Sequence, residues 1–202
     1  MMNSKILLAG IGGQGVLFAH QILAECAAAQ GYNVTGAETH GMSQRGGAVV
    51  SHLKIGDSPA PLIRQGTADF LLAFDSAEAY RSLAFIRRGG TVVVNCGIAD
   101  FPDVRVREQL AAMNVTTRLL NADALAQSLG RASAVNVVLI GFASQCDAFP
   151  LATDALRETI QRIARPQVVA LNLKAFDGGV KKAMSQPWHL RSRQGKCEPF
   201  TP

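Results

Sequence analysis

The sequence predicts an α/β domain with a Rossmann-like, mainly parallel sheet flanked by helices, in which an irregular loop and an antiparallel strand replace part of the second βα unit. Three observations lead there. Short apolar runs alternate with helix-length amphipathic stretches along the chain. The first run ends in the glycine turn "GIGGQG", which opens a helix. Finally, the stretch "VVSHLKI", Val49 to Ile55, has the period-two alternation of a strand where a second helix would be expected.

Taken in order, Ile6 to Ala9 is a continuous apolar run suited to a strand buried on both faces. Gln14 to Gln30 reads as a helix, with Val16, Ala19, Leu23, Cys26 and Ala27 on one side and Gly31 placed to end it. Tyr32 to Ala37 is the next strand, followed by the polar stretch "ETHGMSQRGGA", Glu38 to Ala48. In "VVSHLKI" one side carries Val49, Ser51, Leu53 and Ile55 and the other Val50, His52 and Lys54, which predicts one less-buried face. Ala68 to Phe74 is another buried strand, and Asp75 or Ser76 caps a helix with Glu78 near its start. That helix is expected to end by "RRGG", with a strand at Thr91 to Cys96 and another at Val115 to Leu120. Asn121 or Asp123 starts a helix running to Gly130, and Ala132 to Cys146 is apolar enough for a helix buried nearly all round. Pro150 and Pro166 bracket one more helix, "NLKAFDGGVKKAM" is a last short one, and residues 186–202 form a polar tail. The domain therefore spans 1–185 and the basic C-terminal tail 186–202.

Composition bounds the function. At 202 residues, with 48% hydrophobic and 17% charged residues, the chain is long and apolar enough for one sizeable core. Its net charge of +5 is concentrated late, in Lys181, Lys182, Arg191, Arg193 and Lys196, and aromatic residues are too sparse for a nucleic-acid stacking surface. Cys26, Cys96, Cys146 and Cys197 are scattered with no C-x-x-C pair, which argues against an iron–sulfur cluster or a zinc site in this chain. No signal-peptide pattern and no bilayer-length apolar run is present, so a reducing, cytoplasmic setting is expected.

Two stretches can hold chemistry. Gly10, Gly12 and Gly15 satisfy G-x-G-x-x-G between a strand and a helix, with Gly13 opening the turn further and Gln14 inside it. Val16 stands where a P-loop requires lysine, which excludes a Walker-type triphosphatase. Glu38, 23 residues after Gly15, lies where a ribose-binding carboxylate would sit, so a self-sufficient NAD-dependent oxidoreductase is one reading. Against it, a long loop rather than a second helix follows Glu38. That loop places Ser43, Gln44 and Arg45 ahead of Gly46 and Gly47, and a glycine-flanked arginine can grip a phosphate, a carboxylate or another subunit. His20, His52 and His189 are not united into a site, and "GMSQRG" lacks a nucleophile elbow. Asp69 and Asp75 are expected to cap or close turns. Asn136, inside the greasy helix, needs a partner, either a ligand or another helix.

Together "GIGGQGVLFAHQILAECAAAQG", "ETHGMSQRGGAVVSHLKIG" and "NVVLIGFAS" resemble the gamma-type domain of the 2-oxoacid:ferredoxin oxidoreductase family, over about residues 4–185. The likeness is greatest to the small (beta) subunits of its indolepyruvate branch. The resemblance implies an accessory subunit of a complex that oxidatively decarboxylates a 2-oxoacid, indolepyruvate or another aryl pyruvate, to an acyl-CoA and reduces ferredoxin. It implies that thiamine diphosphate and the iron–sulfur clusters reside on a large (alpha) partner subunit. It carries binding roles, by motif position, to Gly10, Gly12, Gly13, Gln14, Gly15, Ser43, Gln44, Arg45, Gly46 and Gly47. Those residues would serve coenzyme A or subunit packing. No catalytic residue and no metal ligand are expected on this chain, and a homodimer is allowed when it is isolated.

Overall fold

The structure, a computed structural model, describes residues 3–40, 46–58, 60–97 and 101–186. The first apolar run lies within strand β1, Ser4–Ile11, where Ile6 to Ala9 are wholly buried. Helix α1, Val16–Ala29, follows the glycine turn, and its buried stripe is the one the sequence spacing predicts, with Ile22 added. Strands β2, Val34–His40, and β3, Ala48–Ile55, come next, then β4, Ala68–Ala73, and the short helix α2, Ser76–Ser82. Strand β5, Ile86–Asn95, helix α3, Val104–Ala112, and strand β6, Thr116–Leu120, complete the sheet. Helices α4, Ala122–Ser128, α5, Val135–Ala143, α6, Thr153–Ile163, and α7, Val169–Ser185, close the described chain.

The strand order is β2-β3-β1-β4-β5-β6. β1, β4, β5 and β6 are parallel, whereas β3 runs antiparallel to both β1 and β2. Alternate residues of β1 feed two cores. Ile6 and Leu8 join the larger one with α1 and α4 to α7, and Leu7 and Ala9 join the smaller one with α2 and α3. Two covered faces are why β1 reads as an unbroken apolar run.

The structure corrects several expectations. Ser51 to Ile55 of β3 are all buried, so neither face is open there: α1 covers one, and the segment carrying Ile63 covers the other. β5 begins at Ile86 and takes in "RRGG" as a bulge, where the register to β4 shifts and Gly89 has a φ of 69°. Gly89 N donates to Met113 O at 2.9 Å and Arg88 Nη1 to Ala112 O at 2.9 Å, which pin this stretch to the end of α3. α2 accordingly ends early, in a 3-10 turn at Leu83–Phe85. α3 has no counterpart in the sequence reading, since Leu110 is its one buried residue and leaves almost no periodic signal. α7 is not short but 17 residues long. Asp75 does cap α2, accepting from Ala77 N and Glu78 N, whereas Asp69 lies inside β4 and takes an ion pair with Arg87.

Closest packing occurs where α5 crosses α7. A Cβ on Gly141 would stand 2.2 Å from Phe176 O, and one on Gly179 would stand 2.0 Å from Val138 O. These are backbone atoms, which cannot step aside, so glycine is what lets the two helices touch. At Gly178 the obstacle is a flexible Leu129 methyl 2.6 Å away. Gly179→Ala should therefore lower stability by about 1–3 kcal/mol or more. Gly178→Ala, which improves helix propensity, should cost at most about 1 kcal/mol. Urea midpoints for the two variants, read by circular dichroism, check the contrast, and equal losses would contradict it.

Candidate functional site

Each glycine of the turn has its own physical reason. Gly10, near the end of β1, is buried, and a Cβ there would meet Gln14 Oε1 at 2.8 Å and Val16 Cγ2 at 2.9 Å. Gly13 and Gly15 have φ of 101° and 77°, the left-handed region that side chains avoid. A Cβ on Gly15 would also lie 2.3 Å from Asn136 Nδ2. Gly12 is exposed, and its N–H donates to Gly47 O at 2.9 Å.

That last bond joins the two glycine motifs across 35 residues of sequence. A Cβ on Gly12 would sit 3.6 Å from both Gly46 N and Gly47 O, so an alanine would just fit and a larger side chain would push the strands apart. The turn and the start of β3 thus form one surface at the end of β1. Ser43, Gln44 and Arg45 lie outside the described residues.

Gln14 faces inward. Its Oε1 accepts from Ile11 N at 2.8 Å and its Nε2 donates to Phe74 O at 3.3 Å, so its amide is engaged within the fold. Above it, α1 starts without a side-chain cap and without an acidic residue in its first turn. Among the described residues, the N–H groups of Gly13 and Gly15 carry no hydrogen bond, and the first turn of α1 leaves its usual free donors. Such an array attracts anions.

Sequence reasoning missed how this turn is braced. Asn136 Nδ2 donates to Gly15 O at 3.0 Å, while its Oδ1 accepts from Val137 N at 2.9 Å. Its role is therefore contact between α5 and the start of α1; the apolar setting of Asn136 was the signal. Asn95, at the end of β5, was not singled out at all. Its Nδ2 donates to Phe74 O at 3.0 Å and Asp123 Oδ2 at 2.7 Å, and its Oδ1 accepts from Ala122 N at 2.8 Å.

Glu38 is exposed on edge strand β2, and β3 stands between β2 and β1. In a dinucleotide site the ribose carboxylate ends the strand beside β1; here it is one strand further out, about 10 Å from β1 at the usual spacing. Glu38 shares a sheet face with Ser51, its cross-strand partner, and with His20 of α1. His20 Nδ1 and Ser51 Oγ are 2.6 Å apart, but Ser51 is wholly buried, so the pair is a packing contact and not an exposed nucleophile. His52 lies on the opposite face and accepts from Ile63 N at 3.1 Å. Burial lowers the pKa of both histidines; the Glu38 charge partly offsets it at His20, and Lys54 adds to it at His52.

Among the described residues, no cluster of three or more His, Cys, Asp or Glu side chains could hold a metal ion. Cys26, Cys96 and Cys146 are buried free thiols, and burial pushes Cys146 up to about 11. No helix among the described residues is long and apolar enough to cross a membrane.

Residues 5–182 match the pattern of the pyruvate ferredoxin/flavodoxin oxidoreductase family. The chain belongs to that family. Within it, the chain is 35% identical over 196 residues to the indolepyruvate oxidoreductase subunit IorB of Pyrococcus horikoshii, covering 91% of this chain and 97% of that one. Among solved structures, the gamma subunit of a keto/oxoacid ferredoxin oxidoreductase from Geobacter sulfurreducens superposes with a TM-score of 0.72. That match has 26% identity and covers 91% of this chain and 99% of the other. The 2-oxoglutarate:ferredoxin oxidoreductase of Magnetococcus marinus, solved with 2-oxoglutarate, coenzyme A and succinyl-CoA bound, gives the same score at 25% identity. It covers 93% of this chain and 32% of that one. The fold and the gamma-type assignment within the oxidoreductase family thus agree with the sequence resemblance.

Two outcomes follow, one from the Asn136 brace and one from the buried histidines. Asn136→Ala strips Gly15 O and Val137 N of their partner and should cost about 1–3 kcal/mol, read as a lowered urea midpoint. Because His20 and His52 hold pKa values below 6.5 in the folded chain, the unfolded chain takes up protons first as the pH falls. Stability should be level above about pH 7 and decline as the pH drops through the unfolded histidine value near 6.5. His52→Gln should flatten that decline in pH-resolved thermal melts, and an unchanged slope would contradict the assignment.

Proposed function

We propose that this chain is the small, accessory subunit of a 2-oxoacid:ferredoxin oxidoreductase complex acting on an aryl pyruvate such as indolepyruvate. Its part is to present the glycine turn, together with Arg45 of the second glycine motif, to coenzyme A at the active site of a larger subunit. That larger partner would hold thiamine diphosphate and the iron–sulfur clusters. The Gly12–Gly47 contact carries the reading, because it makes one surface of two motifs that are far apart in sequence. Two properties of the surface support an anionic ligand: the backbone is bare of side chains at Gly12 and Gly13, and free N–H donors converge at the start of α1. Coenzyme A in the Magnetococcus marinus enzyme and the indolepyruvate name of the Pyrococcus relative support the choice of ligand and substrate. The inward-facing Gln14 and the buried Ser51 argue against a reacting group supplied by this chain.

The chain purified alone should show no reduction of ferredoxin with an aryl pyruvate, and should gain it on assembly with the thiamine-bearing large subunit. Activity of the isolated chain would overturn the division of labour. In the assembled enzyme, Gly13→Val should raise the KM for coenzyme A on the order of tenfold, about 1.4 kcal/mol, with the KM for the 2-oxoacid unchanged. A fall in kcat with both KM values unchanged would instead assign the turn to subunit packing.

A further inference from the structure

The end of the sheet opposite the glycine turn carries an excess of positive charge that the proposed function does not use. Register places the residues. Lys5, second in β1, is the direct cross-strand partner of Lys54 in β3. On the other side of β1, Lys5 N donates to Asp69 Oδ2 at 2.8 Å, and Asp69 Oδ1 takes Arg87 Nε of β5 at 2.5 Å. Across four neighbouring strands the row therefore reads Lys54, Lys5, Asp69, Arg87. Arg64, exposed in the segment between β3 and β4, adds a fourth cation close enough to act on Lys54.

Both oxygens of the row's carboxylate are already engaged. Asp57, near the end of β3, accepts from Asn33 Nδ2 at 2.6 Å. Among the described residues the ion pairs are Arg81–Glu78, Arg87–Asp69, Arg157–Asp177 and Arg162–Glu25, so Lys5, Lys54 and Arg64 enter none. Lys54 is 7% exposed, and its Nζ donates only to neutral oxygens, Ala60 O at 2.6 Å and Ser58 Oγ at 3.2 Å. Like charges directly opposite on a ladder repel. Burial and the neighbouring Lys5 and Arg64 charges lower the Lys54 pKa.

We propose that this rim, Lys5 and Arg64 over the buried charge of Lys54, is a docking surface for an acidic segment of a partner polypeptide. Carboxylates laid along Lys5 and Arg64 would cancel the repulsion that the chain bears alone, and the Lys54 ammonium, fixed beneath Ser58 and Ala60, would raise the local positive potential without touching the partner. A single small anion could neutralise one of these charges, whereas a run of side-chain carboxylates matches their spread over neighbouring elements. The surface is independent of the glycine turn, which lies at the opposite end of β1, so either reading can fail without the other.

The test uses the full chain and a hexaglutamate peptide, with binding followed by fluorescence anisotropy at two salt concentrations. Wild type is expected to bind saturably and more weakly at high salt, and the Lys5→Gln/Arg64→Gln pair to lose about tenfold in affinity or more. Arg64→Gln alone, at an exposed position, keeps the test valid if the pair fails to fold. Arg165→Gln, an exposed arginine elsewhere, should leave binding unchanged. No saturable binding, or equal losses in the Arg64 and Arg165 variants, would overturn the proposal. Displacement of the peptide by inorganic phosphate at comparable concentration would also overturn it, in favour of a phosphate site.

Discussion

The carbonyl oxygen of Phe74 accepts two side-chain donors, Gln14 Nε2 from the glycine turn and Asn95 Nδ2 from the end of β5. Phe74 N also donates to Ala9 O at 2.8 Å, which ties the end of β4 to β1. The backbone of one residue thus locks three parallel strands at the end where the chain leaves the sheet. Asn95 extends the lock to the start of α4 through Ala122 N and Asp123. Buried networks of this kind stabilise only when every member is satisfied, and both side-chain amides here have partners on their oxygen and on their nitrogen. The position of α1, and with it the exposed glycine surface, depends on this arrangement.

It follows that the glycine motif divides into parts with different duties. Gly10 makes room for Gln14, and Gly15 makes room for Asn136, so these two belong to the scaffold. Gly12 and Gly13 face outward and are free to meet something. A motif read as a single ligand cradle is half internal bracing, which is how a dinucleotide-like turn persists where no dinucleotide carboxylate stands beside β1. The inserted β3 moves Glu38 to the sheet edge and brings Gly47 against Gly12 in its place.

Legibility in the sequence followed the strength of burial. β1, β4 and the part of β5 from Thr91 to Asn95 were legible because strands covered on both faces are continuous apolar runs. Asp75 and Asn121 marked helix starts because their side chains accept from the first-turn N–H groups. α3 escaped because a helix on the rim buries one residue, and Asp103, which accepts from Val106 N at 3.0 Å, was its one local signal. The adjacent glycines of α7 look like a helix end, yet the second of them, Gly179, sits where α5 comes closest, and only the tertiary contact reveals that. At the site, the two glycine motifs could be named from sequence. Their meeting at Gly12 and Gly47, and the duties of Asn95 and Asn136, depend on partners more than 20 residues away and could not.

The larger core joins the first described strand to the last described helix, Ile6 to Ala183, through the crossing of α5 and α7. During synthesis the chain emerges from its N-terminus, so β1 and α1 leave the ribosome well before the helices that cover them. The apolar stripe of α1 lies against β1 and β3 and also meets α5 and α6, so its cover is complete only when those later helices arrive. Closure of the larger core is consequently late relative to synthesis of β1 and α1, and the nascent chain passes through an interval with part of that greasy face open to chaperones. The glycine turn likewise gains its last brace only after α5 has emerged, because Asn136 of that helix donates to Gly15 O.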